Sequence, residues 1–198
     1  MPTSASRAKV AVMIPAYNEE TSVGLVLEAI PKKWMDQIVV VDNGSTDTTA
    51  KVAQSSYAEV VSEPRRGYGQ ARLTGIAHVK NDTDIVVFMD ADSSDHPEQL
   101  PDLLGPIVEH GADMVIGSRM LGGAGPGALL PQARWGNRLA CFLMRLITVE
   151  MQIKAARMGL SFREVSVKYR KRVGVSKITG TVSGTLRAGW KILYTIVK

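Results

Sequence analysis

The sequence predicts an α/β fold with a mainly parallel, Rossmann-like central sheet and helices on both faces. Three observations carry that expectation. Short apolar runs rich in valine and isoleucine alternate with stretches of helical spacing through residues 9–116. The runs are nearly continuous rather than alternating, as in strands buried on both faces. The stretches between them are long enough for the crossover helices that parallel strands require.

Residues 9–14 read as the first buried strand, with Pro15 ending it. Val23, Val26, Leu27 and Ile30 recur at helical spacing within residues 20–30. Residues 37–41 form a second strand, and Asp42, Ser45 and Asp47 offer caps to a helix over 48–54. A short third strand over 58–61 and a helix over 69–80 follow. Residues 84–89 form the most apolar strand, 97–110 a helix and 112–116 a fifth strand. Beyond a glycine-rich loop at 122–127, helical stretches cover 132–147 and 149–158. Val165, Val167 and Tyr169 share one face of a strand-like segment over 162–169, and residues 170–177 are basic. In the tail over 182–198, Val182, Leu186, Trp190, Leu193 and Val197 fall near one helical face, opposite Arg187, Lys191 and Lys198. The expected organisation is one domain over 1–180 with an amphipathic tail over 181–198.

Composition narrows the function classes. With 198 residues and 45% hydrophobic content the chain can bury one sizeable core, and 22% charged residues argue against disorder. The net charge of +5 suits a phosphate-bearing substrate or an anionic membrane surface. It does not by itself indicate nucleic acid, and no aromatic-basic platform is present. Cys141 is the single cysteine, so no internal disulfide forms, and it reads as a small buried apolar residue. His78, His96 and His110 lack zinc-ligand spacing. No run of about 18 apolar residues occurs, and residues 1–9 lack the apolar centre of a signal peptide. The expectation is a cytoplasmic domain, with the tail either resting on a membrane surface or packing against the core.

In parallel sheets ligands bind beyond the carboxyl ends of the strands. The residues standing there are Pro15-Ala16-Tyr17-Asn18-Glu19, Asp42-Asn43-Gly44-Ser45 and Asp90-Ala91-Asp92. Asp90 and Asp92 repel each other, and a hard divalent cation, Mg²⁺ or Mn²⁺, relieves that repulsion while holding substrate phosphate; the alternative is a solvated acidic turn. Asp42 can accept a hydrogen bond from a base or ribose, or serve as a turn residue. Pro15 to Glu20 carries no glycine, which argues against a dinucleotide site. Gly67-Tyr68-Gly69 reads as a tight turn before a helix.

In order and spacing, Ile14-Pro15-Ala16-Tyr17-Asn18-Glu19-Glu20, Val39-Val40-Val41-Asp42-Asn43-Gly44-Ser45-Thr46-Asp47, Asp90-Ala91-Asp92 and Ile116-Gly117-Ser118-Arg119 resemble family 2 glycosyltransferases of the GT-A fold. Arg170-Lys171-Arg172-Val173-Gly174-Val175-Ser176-Lys177 is similar to the dolichyl-phosphate mannose synthase branch, whose members make polyprenyl-phosphate sugars. The resemblance implies that Pro15, Ala16, Tyr17, Glu19 and Asp42 line the base and ribose of a nucleotide-sugar donor. It implies that Asp90, Ala91 and Arg119 meet the donor, that Asp92, with Asp90, ligates the metal, and that Arg172, Ser176 and Lys177 hold phosphate. Guanidinium and ammonium groups suit that task. If the acceptor is a hydroxyl, Glu150 is the candidate base, beside a plainer reading as an exposed helix-start glutamate.

Two departures stand out. That branch often places a metal-assisting glutamine where this chain has Ser94. The resemblance also implies about 25 to 35 further residues near Ile147-Thr148, more than an ordinary connection. A deletion there would remove part of the acceptor wall. A nucleotide-sugar-binding module with reduced or no transfer is therefore one alternative. A nucleotidyltransferase is another, disfavoured by the glycine-free, acidic loop after the first strand.

Overall fold

A computed structural model of the chain describes residues 7–118, 158–170 and 172–173. Strands β1 (Val10–Ala16), β2 (Gln37–Asp42), β3 (Glu59–Ser62) and β4 (Ile85–Phe88) form one parallel sheet in the order β3-β2-β1-β4. Helices α1 (Val23–Ala29) and α2 (Thr49–Ser55) make the first crossovers. Helix α3 (Tyr68–His78) then carries the chain back across the sheet to β4, and α4 (Leu100–Val108) follows a 3₁₀ turn at Pro97–Gln99. The order reverses at β1, so the carboxyl ends of β1 and β4 form the switch point of the sheet. That is where sheets of this kind bind ligands.

Burial on both faces explains the unbroken apolar runs. Val12, Ile14 and Ala16 of β1 pack with Val40 against Val23, Val26 and Leu27 of α1, Ala53 of α2 and Leu100 of α4. Met13, Val39 and Val41 point the other way, toward Ala71 of α3. Neither face of β1 or β2 is left to water, so neither strand needs polar positions. α3 lies so near the sheet that a Cβ on Gly75 would stand 2.5 Å from Met13 Cγ and 3.0 Å from Val41 Cγ2.

Pro15 does not end the first strand, which continues to Ala16 with Pro15 paired opposite Val41. The Met13 carbonyl accepts from the Met89 N–H at 3.1 Å, so Pro15, of the same parity, turns its nitrogen to the β4 side. The last β1–β4 pair is Met13 with Phe88, so the missing N–H falls beyond the ladder. The fifth strand also differs from expectation. β5 (Met114–Ser118) does not join the four-stranded sheet but pairs in parallel with β6 (Phe162–Ser166). Asp113 and Ser161 brace the start of that pair, the Ser161 N–H donating to Asp113 Oδ2 at 2.8 Å. An apolar run records that a strand is buried, not which strand it pairs with. The tail over 182–198 and the stretch over 132–147 lie outside the described residues, as does 149–158 apart from Met158, in an exposed turn.

Candidate active site

The connections after β1 and β2 are laced into one wall. The Asn18 N–H donates to Ser45 Oγ at 3.0 Å, and Asn18 Oδ1 accepts from the Thr46 N–H at 2.8 Å. Asn18 holds φ at +50°, a conformation its short polar side chain tolerates. The Glu19 N–H donates to Thr49 Oγ1 at 2.7 Å, and Glu20 accepts from the N–H and hydroxyl of Thr48 at 3.0 and 2.7 Å. Asp42 Oδ1 accepts from the Ser45 N–H at 3.1 Å, and Asp47 Oδ1 from the Thr49 N–H at 2.9 Å. Asp47 thus supplies the first turn of α2, which leaves Asp42 at the strand tip.

The connection after β3 closes a second side. Buried Asn43 donates to the carbonyls of Glu63 and Arg65 at 2.9 and 2.8 Å and accepts from the Gly67 N–H at 2.8 Å. Gly67 sits at φ +145°, a region that favours glycine. Arg66 lies 4.0 Å above the Tyr17 ring and donates to the Gly44 carbonyl at 3.2 Å, so a cation covers the aromatic residue expected in the base site. Behind it, the Glu63 carboxylate accepts from the Arg65 backbone at 2.8 Å and its guanidinium at 3.2 Å, from Thr74 at 2.5 Å and from Gln70 at 3.1 Å. These partners, Arg65 first, outweigh desolvation and draw its pKa down from 4.5 to about 2.

A folded-state pKa below the unfolded value adds stability that is complete above about pH 4.5 and disappears as pH falls toward about 2. Glu63→Gln is therefore expected to lower the melting temperature at pH 7, by a margin that narrows steadily in scans from pH 5 to pH 2.5. A margin independent of pH would show that the carboxylate charge is not what holds this connection.

The segment after β4 carries the acidic pair. Tyr68 donates its hydroxyl to Asp90 Oδ1 at 3.0 Å. Burial, and then the Asp90 charge, push the phenol up to about 12, so it remains a donor throughout the physiological range. Asp92 Oδ1 accepts from the Ser94 N–H at 2.9 Å, and Asp92 Oδ2 lies 3.5 Å from Arg172 Nη1. Arg172 Nη2 reaches Glu19 Oε1 at 3.1 Å. One guanidinium thus joins carboxylates from the tips of β1 and β4. The chain beyond β6 is held here by main-chain bonds: Arg170 N–H to the Ser94 carbonyl and Val173 N–H to the Asp92 carbonyl, both at 3.0 Å. Ser93, at φ +59°, is gripped by Arg170, whose Nε donates to its carbonyl at 2.6 Å and Nη2 to its Oγ at 3.0 Å.

The donors suit a hard cation. Asp90 and Asp92 offer carboxylate oxygens, and buried Ser94 Oγ has no hydrogen-bond partner among the described residues. Among the described residues no cluster of three or more histidine, cysteine, aspartate or glutamate side chains is placed to enclose a metal. A protein offering one or two carboxylates and leaving other positions to substrate phosphate matches Mg²⁺- or Mn²⁺-type sites rather than a protein-only cage.

The structure brings Pro15, Tyr17, Glu19, Asp42, Asp90, Asp92 and Arg172 to one edge of the sheet. Ala16 and Ala91 lie in the core at 2% and 3% exposure, so they can meet a ligand only through their backbone. Arg119, Glu150, Ser176 and Lys177 lie outside the described residues. The sequence assigns no role to Arg66 or Tyr68, and it places Asn43 at a strand tip and Arg170 in the basic segment without showing what their side chains hold. Tyr68, between two glycines at a helix start, is the one of these with a visible sequence signal.

The glycosyl transferase family 2 model matches residues 11–169. An uncharacterized glycosyltransferase of Mycobacterium tuberculosis is 34% identical over 217 aligned positions, covering 93% of this chain and 97% of the relative. Those positions outnumber the 198 residues of this chain, so the relative carries residues without a counterpart here. A dolichyl-phosphate hexose transferase of Haloferax volcanii is 30% identical over 88% of each chain. Among solved structures, glucosyl-3-phosphoglycerate synthase of Mycobacterium tuberculosis with Mn²⁺, UDP-glucose and phosphoglyceric acid is 33% identical at a TM-score of 0.52, over 62% of this chain and 46% of that one. The same enzyme with phosphoglyceric acid alone is 25% identical at a TM-score of 0.69, over 97% and 80%.

Proposed function

Because this chain belongs to glycosyl transferase family 2 and has its GT-A fold, we propose that it transfers a sugar from a UDP- or GDP-linked donor, with Mn²⁺ or Mg²⁺, to a polyprenyl phosphate. It is a glycosyltransferase that uses a nucleotide sugar; the metal, the acceptor and the residue roles are the proposal. The observation that supports it most is the Arg172 bridge, since Glu19 of the nucleotide wall and Asp92 of the metal pair share one cation.

In the proposed reaction an acceptor phosphate oxygen forms a bond to the anomeric carbon. The opposite C–O bond breaks, and its electron pair leaves on the nucleoside diphosphate, with inversion. Pro15, Tyr17, Glu19 and Asp42 receive base and ribose, aided by the backbone of Ala16 and Ala91 and by Arg119. Asp90 and Asp92 would hold the metal, which when bound would supply positive charge to the departing diphosphate. Arg172, Ser176 and Lys177 share that task as hydrogen-bond donors. A polyprenyl phosphate is already an anion, so it needs positioning more than a base. A hydroxyl acceptor would need one, and Glu150 is the candidate.

The acceptor follows the Haloferax relative, and UDP the ligand of the mycobacterial synthase. No helix among the described residues is long and apolar enough to cross a membrane. Contact with the membrane that carries a lipid acceptor is assigned in this reading to the amphipathic, basic tail over 181–198. A second reading, a donor-binding module without transfer, is supported by the extra residues of the mycobacterial relative.

A screen of UDP- and GDP-sugars with and without Mn²⁺ tests the donor. A ligand at 100 times its Kd adds about 2.7 kcal/mol, which for a chain of this size raises the melting temperature by roughly 5–10 °C. The absence of any shift would remove the donor assignment. Transfer to polyprenyl phosphate, assayed beside 3-phosphoglycerate, identifies the acceptor, and binding without turnover on either favours the module.

A further inference from the structure

We propose that Arg172 is the resident counter-cation of the metal site: it holds Asp92 and Glu19 together before the donor arrives, then gives up Asp92 and turns to the diphosphate. This rests on the donor reading above and adds an order of events to it.

Four observations carry the inference. Arg172 spends its two terminal nitrogens on two different carboxylates, Glu19 Oε1 at 3.1 Å and Asp92 Oδ2 at 3.5 Å. Those side chains are only 11% and 15% exposed, so bringing them together without a cation would cost more than it would in water. Beside this bridge two buried polar atoms, Arg172 Nε and Ser94 Oγ, have no hydrogen-bond partner among the described residues. Buried donors left unpaired are unfavourable, and a diphosphate oxygen for Nε and a cation for Oγ would satisfy both. Finally, the backbone around Arg172 is fixed independently of its side chain, through Arg170 to Ser93 and Ser94 and through Val173 to Asp92. The guanidinium can therefore leave Asp92 by side-chain rotation while the segment stays docked.

Asp92 cannot at once serve a guanidinium and a divalent ion through the same oxygen, so the two cations compete. A diphosphate accepts forked hydrogen bonds at least as well as a carboxylate. Donor binding thus draws Arg172 off Asp92 and opens that oxygen to the metal. Arg172 acts here as a positioning residue that makes metal binding wait for nucleotide.

The test measures binding of Mn²⁺ alone, from the loss of its free-ion paramagnetic resonance signal, in wild type, Arg172→Gln, Arg172→Lys and Lys168→Gln. Arg172→Gln should bind Mn²⁺ without nucleotide at least about 10-fold more tightly than wild type, because a like-charged competitor is gone. Arg172→Lys should tighten it less, since a lysine supplies a point charge rather than a fork. Lys168 is exposed on the same segment, and its loss should change affinity less than about 2-fold, since exposed charges are screened. An unchanged Mn²⁺ affinity in Arg172→Gln, or an equal gain in Lys168→Gln, would overturn the exchange. If the glutamine variant does not fold, the lysine variant decides: no gain there counts against it. Binding of UDP with Mn²⁺ by the wild type is the separate check on the donor reading, and it can succeed while the exchange fails.

Discussion

Asp92→Ala is expected to abolish the Mn²⁺-dependent part of the nucleotide-sugar thermal shift and to lower transfer by about 10²–10³-fold, the scale of losing a charge-stabilising group in the transition state. Asp92 lies at the crossing point of the site. Its Oδ1 is fixed by the Ser94 N–H, and its Oδ2, paired with Arg172, is the oxygen that a metal would compete for. Removing the carboxylate releases Arg172 from one partner but leaves Glu19 as the other. The metal-independent part of the nucleotide shift should therefore survive. That split separates a lost ligand from a lost fold. A variant that keeps its Mn²⁺-dependent shift would move the metal role away from Asp92, and one that loses both parts together with its melting transition would point to unfolding.

The second large effect is structural. Gly75→Val should destabilise the protein by about 2–3 kcal/mol, the cost of forcing extra methyl groups into a filled core, and lower the melting temperature by roughly 5–10 °C. The Cβ alone would meet Met13 Cγ at 2.5 Å, Met13 Sδ at 2.8 Å and Val41 Cγ2 at 3.0 Å. Met13 and Val41 are fully buried in the sheet, so moving them aside disturbs the packing around them. Gly69, at the start of the same helix, is exposed, and a Cβ there would meet nothing within 4 Å among the described residues, so Gly69→Val is the control and should change stability far less. Equal melting temperatures for the two variants would show that α3 does not sit this close to β1. Pushing α3 outward would also shift Tyr68, which holds Asp90 from the first turn of that helix. Gly75→Val should accordingly weaken donor binding without touching the site.

The alternation of apolar runs and helical stretches was legible because β1 and β2 are buried on both faces, and burial leaves a compositional mark, fainter in β3 and β4, which are only partly covered. The acidic groups at the tips were legible for a related reason. Asp42, Asp90 and Asp92 interrupt apolar runs at their ends, where only a ligand, a cap or solvent can accept them. Pro15 misled because its cost depends on which side its nitrogen faces, and that is set by where β4 stops pairing. The pairing of β5 with β6 was equally hidden, since both strands look alike whichever neighbour they find.

Sequence alone determined the fold class, the strand tips and the acidic residues upon them, because hydrophobic burial and chain period are local properties that each segment carries with it. Tertiary structure alone decided that Arg172 bridges Glu19 and Asp92, that Tyr68 grips Asp90 and that Arg66 covers Tyr17. Charge–charge, hydrogen-bond and cation–ring contacts act over a few ångströms between groups far apart along the chain. Their partners exist only once the strands have been ordered and the loops brought to one edge.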